Sequence, residues 1–300
     1  MNRPRILITG ATGFIARSLV PALLSQADLT LLVLEEFGSG LSLPPPLNKT
    51  RPVVDMVYAD LRNYQLTARA VRQARPDKVI HLAAVGVSDP FLPVNTAVAH
   101  NLTGTLNLLR ACFENDHHVQ QLIVARTPGE RTAINAYAAS KAAAWAFCRM
   151  YARTAGWPID GVMIFQAYGG HQPPHLLLPA ALQAALAGED FPMTAGQQEK
   201  DWVHIDDIVK GFQSLLEAEL PPGTTVELGS GKTHSVLSVV QEVYRVAGRG
   251  GRPLPGALPG RPGEEPRQVA DAGKTAELIG WRAAIPLAEG IARLVAGVES

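Results

Sequence analysis

Tyr137 and Lys141 are the two side chains whose types and spacing point most directly to chemistry. They lie four residues apart in the run Tyr-Ala-Ala-Ser-Lys, at the start of a predicted helix, so both project from one helix face about one turn apart. A nearby ammonium stabilises a phenolate, and such a tyrosine can exchange a proton with a substrate hydroxyl. The pair predicts acid–base catalysis, provided that the preceding elements build a binding site beside it.

A glycine-containing turn follows the first predicted strand and opens the first predicted helix. In the run Thr-Gly-Ala-Thr-Gly-Phe-Ile-Ala, Gly10 permits a tight turn and Gly13 lets the backbone approach a pyrophosphate. Ala16 stands where a third glycine is common, and alanine still allows close packing of helix and strand. The turn predicts a dinucleotide site with contacts at Gly10, Thr12, Gly13, Phe14 and Ile15.

Acidic residues after the second and third predicted strands extend this prediction. Glu35 follows Gly10 by 25 residues, where a carboxylate accepts hydrogen bonds from the adenosine ribose and repels a ribose phosphate. No arginine stands beside Glu35, so the sequence favours NAD over NADP, while Glu36 is interpreted as a solvated loop charge. Asp60 and Leu61 are placed to meet the adenine edge.

The fourth predicted strand ends in His-Leu-Ala-Ala. Leu82, Ala83 and Ala84 are expected beside the cofactor, where the small alanines leave room. His81 is interpreted as a packed, hydrogen-bonded strand residue rather than a general base. Tyr137 and Lys141 complete the predicted cofactor contacts, because the lysine can also hold the nicotinamide ribose.

Composition excludes several classes of partner. The 300 residues carry 27 basic and 27 acidic side chains, so no overall field gathers nucleic acid or an anionic membrane surface. No apolar stretch reaches the roughly 20 residues of a membrane span. There is no leader pattern and no metal-ligand pattern, and a cytoplasmic protein with a small-molecule substrate is expected. Cys112 and Cys148 are expected to be buried thiols.

Short apolar runs alternate with longer amphipathic stretches over the first two-thirds of the chain, which predicts a parallel sheet with helices on both faces. The predicted strands are Arg5–Thr9, Leu29–Leu34, Val53–Tyr58, Lys78–Leu82, Gln121–Ala125 and Ile159–Phe165. The clearest predicted helices are Ile15–Gln26, Leu66–Ala74, Thr96–Glu114 and Ala136–Thr154.

Beyond Tyr168 this alternation stops, and proline and glycine become frequent, notably over Gly248–Gly263. The segment Asp201–Leu216 is predicted as a strand and a helix, and Thr225–Gly229 as a further strand. We therefore expect an α/β fold: a Rossmann-type doubly wound parallel sheet over residues 1–167, rejoined by about 204–230. A smaller C-terminal substrate-binding lobe is expected over residues 168–203 and 231–300.

Taken together, these motifs resemble the extended short-chain dehydrogenase/reductases, the nucleotide-sugar epimerase/dehydratase family. The resemblance spans almost the whole chain. Beyond the glycine turn and the tyrosine–lysine pair, it rests on the segments 35–40, 81–84, 101–109, 167–169, 201–207, 227–231, 261–264, 270–271 and 278–281.

The resemblance implies a third catalytic hydrogen-bond donor, a Ser or Thr about two dozen residues before the tyrosine. Here Thr127 precedes Tyr137 by only ten residues, so the intervening loop is much shorter than in relatives. Thr127 is the best candidate and Thr132 the alternative. Family dehydratases place an acidic pair after this residue, whereas Pro128 and Gly129 follow here and leave Glu130 as the nearby carboxylate, which disfavours dehydration.

The resemblance also implies substrate contacts in the second lobe. Gln166 replaces the usual asparagine and Lys200 the usual arginine, and both could still meet a sugar or diphosphate. Arg261 matches the family's diphosphate-binding arginine, or is an exposed loop residue, and Glu264 could hold a ribose or orient that arginine.

Three functions follow in order of preference. The first is an NAD-dependent epimerase or ketoreductase acting on a nucleotide-linked sugar. The second is a reductase or dehydrogenase of a small carbonyl compound, which the shortened loop favours. The third is a non-catalytic NAD-binding sensor. The resemblance further implies a homodimer through helices 96–114 and 136–154, where Trp145 and Phe147 would either serve the interface or fill the subunit's own core.

Overall fold

The computed structural model describes residues 3–87, 89, 91–114, 119–260 and 263–299. The chain forms two compact units. The first, the sheet unit, comprises Met1–Met163 and Leu215–Val226. The second unit comprises Ile164–Ser214 and Glu227–Ser300.

A seven-stranded sheet organises the sheet unit, with strand order β11-β6-β5-β4-β1-β2-β3. Strands β1 to β6 pair in parallel. The strands of this sheet are β1 (Arg5–Thr9), β2 (Asp28–Val33), β3 (Asp55–Tyr58), β4 (Lys78–His81), β5 (Gln121–Arg126), β6 (Ile159–Ile164) and β11 (Thr225–Leu228). The order reverses between β1 and β4, which is where doubly wound sheets bind their ligands. The predicted Rossmann-type fold is confirmed.

Helices connect these strands and also build much of the second unit. In chain order they are α1 (Phe14–Leu23), α2 (Glu36–Ser39), α3 (Tyr64–Ala74), α4 (Val94–Ala97), α5 (Gly104–Phe113), α6 (Ala136–Ala155), α7 (Leu177–Ala187), α8 (Ile205–Glu217), α9 (Val236–Ala247), α10 (Ala272–Ile279) and α11 (Leu287–Glu299). The described residues also include two 3-10 segments, Leu47–Val53 and Pro128–Arg131, and a π-helical segment, Val98–Thr103.

The central strands are buried on both faces, which is why they are continuous apolar runs in the sequence. Leu7, Ile8 and Ile80 are completely buried, and Leu122 and Ile159 equally so on the neighbouring strands. At about 25 cal/mol per Å² of apolar surface, this burial is the main force that holds the strand ends in register. The residues at the ends of these strands are therefore held in defined positions.

The second unit contains short strand pairs packed with helices. Its strands are β7 (Gln166–Tyr168), β8 (Phe191–Met193), β9 (Glu199–Lys200), β10 (Trp202–His204), β12 (His234–Ser235), β13 (Pro253–Pro255) and β14 (Arg267–Gln268). They pair as β10-β7, β12-β9-β14 and β13-β8. One apolar cluster joins α7, α9 and α11, with Leu182, Val239 and Ile291 among its buried members.

Two sequence predictions about these elements need correction. Val53, predicted as the start of a strand, ends the 3-10 segment instead, and β3 begins at Asp55. The predicted helix Thr96–Glu114 begins at Val94 and is interrupted by the π-helical segment, in which the Asn101 side chain exchanges hydrogen bonds with the backbone of Val85.

Other expectations hold. Cys112 and Cys148 are free and completely buried. Burial raises the pKa of both thiols, that of Cys148 to about 12. No helix in the described part of the chain combines the length and hydropathy of a transmembrane span.

Candidate active site

The glycine turn lies at the switch point of the sheet. Gly10 has φ +65°, and a Cβ there would lie 2.5 Å from the amide nitrogen of Ala83 at the end of β4. Because that obstacle is backbone, only glycine fits. Gly13 caps α1 without a side-chain hydrogen bond, and a Cβ there would lie 3.2 Å from the Gly10 carbonyl oxygen. The α1 N-terminus therefore has the small residues and free N–H groups that a pyrophosphate needs.

The residues around this turn form one surface of the sheet unit. Thr12, Phe14 and Ile15 are half-buried, while Ala16 is buried and lets α1 pack closely on the sheet. Leu82, Ala83 and Ala84 follow β4 and are also half-buried. The structure brings these predicted cofactor contacts together across the switch point.

Glu35 and Asp60 differ in their availability. Glu35 is exposed two residues beyond β2, at the N-terminus of the short helix α2. Both Asp60 carboxylate oxygens accept hydrogen bonds from Arg62 Nε, at 3.0 and 2.9 Å, and these bonds lower the Asp60 pKa. Asn107 fixes the same loop by donating to the carbonyls of Leu61 and Arg62. The exposed Glu35 carboxylate can accept hydrogen bonds from ribose hydroxyls, whereas the Asp60 carboxylate already accepts hydrogen bonds from Arg62.

His81 is part of a buried hydrogen-bond chain below the site. Its Nδ1 lies 2.7 Å from Thr9 Oγ1 and its Nε2 lies 2.8 Å from Thr105 Oγ1. The Thr105 hydroxyl donates to the Asn101 carbonyl, and it therefore accepts a hydrogen bond from His81 Nε2–H. The Thr9 hydroxyl accepts from the Ala83 amide and donates to His81 Nδ1. This order assigns the neutral Nε2–H tautomer. Burial lowers the His81 pKa to about 3, which confirms a packed strand residue.

Asn101 connects the loop after β4 to helix α6. Its side chain exchanges two hydrogen bonds with the Val85 backbone, at 2.9 and 3.0 Å. Its amide also donates to Ser140 Oγ at 3.0 Å. Ser140 lies between Tyr137 and Lys141 in the chain and donates to the Tyr137 carbonyl. This network fixes the first turns of α6 relative to the end of β4.

Tyr137 and Lys141 lie on the first two turns of α6. Asn135 begins this helix by accepting the Ala138 amide at 2.8 Å. Tyr137 is half-buried, and only 3% of Lys141 is exposed. Burial raises the pKa of Tyr137 and lowers the pKa of Lys141, since it penalises the charged form of each; the Glu130 charge raises both pKa values. The two residues thus lie one turn apart on α6, in surroundings that disfavour the charged form of each.

Thr127 and Glu130 close the short turn before α6. Thr127 Oγ1 accepts the Glu130 amide, and Glu130 Oε1 accepts the Thr127 amide at 3.0 Å, which forms a capping box. A Cβ on Gly129 would lie 3.3 Å from Ala138 Cβ, so this turn packs on the first turn of α6. Thr127 is half-buried there and its hydroxyl proton remains a donor, whereas Thr132 is exposed at the end of the 3-10 segment.

Comparison with known proteins identifies the family of this chain. The profile of the NAD-dependent epimerase/dehydratase family matches residues 6–229. The chain belongs to this family. The predicted resemblance and the NAD cofactor are thereby confirmed, and the chain is grouped with enzymes.

Individual relatives of the epimerase/dehydratase family match over nearly the full length. An uncharacterized UDP-glucose epimerase of Bacillus subtilis is 27% identical, covering 99% of this chain and 98% of the relative. A dTDP-glucose 4,6-dehydratase of Xanthomonas campestris is 26% identical, covering 96% and 91%. The structure of Thermus thermophilus UDP-glucose 4-epimerase with NAD is 28% identical, has a TM-score of 0.81 and covers 99% of each chain.

The predicted substrate residues of this epimerase/dehydratase family member lie in the second unit, except for Arg261, which lies outside the described residues. Gln166 is exposed on β7. Lys200 is buried on β9, where Nζ donates to Gln268 Oε1 at 3.1 Å; burial lowers its pKa and the charge of half-buried Glu264 opposes that shift. The structure therefore brings Lys200 and Glu264 into electrostatic reach of each other.

Sequence reasoning missed the partners that support the reactive pair. Arg126, Asn101 and Ser140 carry no catalytic spacing of their own, yet all three hold the turns around Tyr137. A detectable signal is the charged Arg126, which directly follows the apolar run 122–125 of β5. Asp201, part of a recognised motif, accepts four hydrogen bonds from Ser230, Gly231 and Ala270 and is a structural anchor within the second unit.

Proposed function

We propose that this protein is an NAD-dependent epimerase or ketoreductase that acts on a nucleotide-linked sugar. Tyr137 is the acid–base, Lys141 tunes it and Thr127 is the third hydrogen-bond donor. The observation that carries the proposal is the arrangement on α6, where buried Lys141 follows Tyr137 by one turn and the Thr127 turn packs on the same end of the helix.

The residues at the switch point fit NAD. A side chain at Gly10 would meet the β4 end, and Gly13 leaves the α1 N-terminus open for a pyrophosphate. Exposed Glu35 would accept the ribose hydroxyls and disfavour a ribose phosphate. When bound, NAD supplies the hydride acceptor and donor. Lys141 would hold the nicotinamide ribose while it faces Tyr137.

Each side chain has a distinct task in proton transfer. In reduction the Tyr137 phenol donates its proton to a carbonyl oxygen, and in oxidation the phenolate accepts the proton of a hydroxyl. The Lys141 ammonium stabilises the phenolate, which offsets the desolvation that raises the Tyr137 pKa. The Thr127 O–H donates to the same substrate oxygen. His81, uncharged at neutral pH, neither competes for the proton nor repels Lys141.

Dehydration is disfavoured for this chain. A dehydratase needs a carboxyl group that reaches the substrate, and Glu130 is the nearby candidate. Its side chain is only 2% exposed, and its two oxygens accept from Arg126 and from the Thr127 amide. A carboxylate held in this way is a structural group, so hydride transfer without elimination is the better match.

The substrate class rests on the relatives' names and on the second unit. Relatives of similar length are named for UDP-glucose and dTDP-glucose. Gln166, Lys200, Arg261 and Glu264 are the residues that we assign to the sugar, diphosphate or nucleotide ribose. A guanidinium and an ammonium are the groups that proteins use to neutralise a diphosphate.

We also propose a homodimer that uses helices α5 and α6. Trp145 is buried in the sheet unit itself, so of the two aromatic residues only Phe147, 40% exposed, is available for an interface. Sedimentation equilibrium tests this assembly. A Phe147→Glu variant that stays as dimeric as the wild type would exclude Phe147 from the interface.

A binding and turnover screen tests the proposed function. Purified protein is heated with NAD, NADP and UDP-, dTDP-, GDP- and CDP-sugars, because native-state ligands raise the apparent melting temperature by mass action. We expect NAD and one nucleotide family to stabilise the protein. Product analysis then separates an epimerase, which needs only catalytic NAD, from a ketoreductase, which consumes NADH. Stabilisation by NAD alone would instead favour the small-carbonyl reductase, which the short Thr127 turn allows, or the non-catalytic NAD-binding sensor.

A further inference from the structure

We propose that Arg126 and Glu130 are a positioning pair, which holds Thr127 in place and sets two opposed charges near Lys141. The inference rests on the proposed function and concerns residues that do not touch the substrate. It also explains how a chain in which Thr127 stands only ten positions before Tyr137 keeps a defined site.

The pair itself is a buried, multiply bonded ion pair. Arg126 Nε donates to Glu130 Oε2 at 2.9 Å, and Arg126 Nη2 lies 2.8 Å from the same oxygen. The side chains are 12% and 2% exposed. The other carboxylate oxygen, Oε1, accepts the Thr127 amide at 3.0 Å. Glu130 therefore links Arg126 directly to the backbone of the proposed catalytic threonine.

Arg126 is anchored independently of Glu130. Its Nη1 donates to Thr225 Oγ1 at 2.8 Å, and its guanidinium lies 4.4 Å from the centre of the Trp145 ring. A Cβ on Gly161 would lie 2.9 Å from Arg126 Cδ and 2.8 Å from Trp145 Cη2. The backbone of β6 therefore packs closely against both the Arg126 and the Trp145 side chains. These contacts fix the cation, and the cation then fixes the carboxylate.

The charges of the pair reach both reactive groups. The Glu130 charge raises the pKa of Tyr137 and of Lys141, and the Arg126 charge lowers the pKa of Lys141. At Lys141 the two charges therefore act in opposite directions, and the Glu130 effect is the larger. Glu130 without its partner would oppose ionisation of Tyr137, which is the step that catalysis needs.

Other titratable groups near the pair do not replace it. His81 on β4 is uncharged because burial lowers its pKa to about 3. Cys148 on α6 is a neutral thiol because burial raises its pKa to about 12. Arg149 lines the cavity of about 360 Å³ beside Arg126 and Glu130, and its charge lowers the pKa of Arg126. Of these neighbours, only the Arg126–Glu130 pair combines burial, a bond to the Thr127 turn and influence on Lys141.

Direct titration of Lys141 tests the charge role without any substrate. Lysine labelled with ¹³C at Cε is followed by NMR across pH, and Lys141→Arg assigns its signal. We expect the Lys141 pKa to fall by about one unit in Glu130→Gln, to rise similarly in Arg126→Gln and to return near the wild-type value in the double variant. Glu114→Gln, which breaks the exposed Arg110–Glu114 pair of the same spacing, should leave it unchanged.

Shifts of the same sign in both single variants, or none, would overturn the charge role, because a merely structural pair cannot produce opposite shifts. If Arg126→Gln does not fold, Arg126→Lys replaces it: it keeps the charge, so the Lys141 pKa should stay near the wild-type value while Glu130→Gln still lowers it. A fall as large in Arg126→Lys as in Glu130→Gln would contradict the proposal.

Turnover separates positioning from charge. Glu130→Gln keeps an oxygen for the Thr127 amide, whereas Glu130→Ala removes it. We expect Glu130→Ala to lower kcat by about a hundredfold with little change in KM, and Glu130→Gln to lower it far less while shifting the pH profile downward. Equal losses in the two variants would exclude the positioning role. Absence of wild-type turnover on any nucleotide sugar would reject the proposed function, while the Lys141 titration would still decide on the pair.

Discussion

Acidification should weaken the fold through one residue, His81. The ring is 1% exposed and both nitrogens are used, with Thr9 and Thr105 as partners. Protonation would add a second N–H that faces the Thr9 hydroxyl, already ordered as a donor. Burial therefore lowers the folded-state pKa to about 3 from an ordinary value of 6.5.

The sign and size of the effect follow from proton linkage. Between these pKa values the unfolded chain binds a proton at His81 and the folded chain does not. The stability from neutral His81 is fully present above pH 6.5 and is lost progressively as the pH falls toward 3. The loss approaches about 1.4 kcal/mol per pH unit below pH 6.5 and reaches about 2.7 kcal/mol at pH 4.5, relative to the pH at which both states are neutral at His81.

Urea unfolding of wild type and His81→Gln at several pH values measures this effect. His81→Gln should be less stable at pH 7, and the difference between the two proteins should shrink by about 2.7 kcal/mol by pH 4.5. Carboxylates titrate in both proteins and cancel. His234→Gln, at an exposed position, is the control and should keep the wild-type pH dependence. A variant that retains the wild-type slope would refute the buried, neutral assignment of His81.

Three further substitutions test other parts of the structure. Gly10→Ala should weaken NAD binding by at least about tenfold in calorimetry, because its Cβ would lie 2.5 Å from the backbone nitrogen of Ala83. The control Gly280→Ala has a similar φ of +66° but no atom within 4 Å of its Cβ, and it should leave the NAD affinity unchanged. Glu130→Gln should lower the unfolding free energy by about 3–5 kcal/mol, because it leaves buried Arg126 without its counter-charge. The exposed control Glu114→Gln should lower it by less than about 1 kcal/mol. Equal losses would contradict a buried ion pair at Arg126 and Glu130. Gly161→Ala should lower the unfolding free energy by about 1–3 kcal/mol, because its methyl group would overpack against Arg126 and Trp145. An unchanged free energy in urea unfolding would show that these side chains move aside.

Much of the sheet unit can be predicted because local pattern and global fold agree there. The sequence predicts strand β1 with its observed bounds, and the Gly10 turn, with its positive φ, lies at the switch point as the motif requires. It predicts helix α6 to within one residue of its C-terminus. These elements carry strong periodicity, and burial on both strand faces leaves little alternative.

The supporting contacts cannot be predicted because they join distant parts of the chain. Asn101, in the π-helical segment, forms hydrogen bonds with Val85 and Ser140, and periodicity does not reveal such partners. Arg126 and Glu130 have helical spacing but lie on a strand end and a 3-10 turn, and Arg126 packs against the Trp145 ring. The short loop is visible in the sequence, whereas the ion pair that closes it requires the fold.

The central claim is that Tyr137 and Lys141 carry out proton transfer during hydride exchange with a nucleotide-linked sugar. A single-turnover experiment tests it most directly: enzyme, NAD and the stabilising nucleotide sugar are mixed, and the absorbance of reduced nicotinamide is followed in wild type, Tyr137→Phe and Lys141→Met. We predict a transient in the wild type and a rate lower by about 10²-fold or more in Tyr137→Phe, with NAD affinity preserved in that variant. A Tyr137→Phe rate equal to that of the wild type would contradict the account.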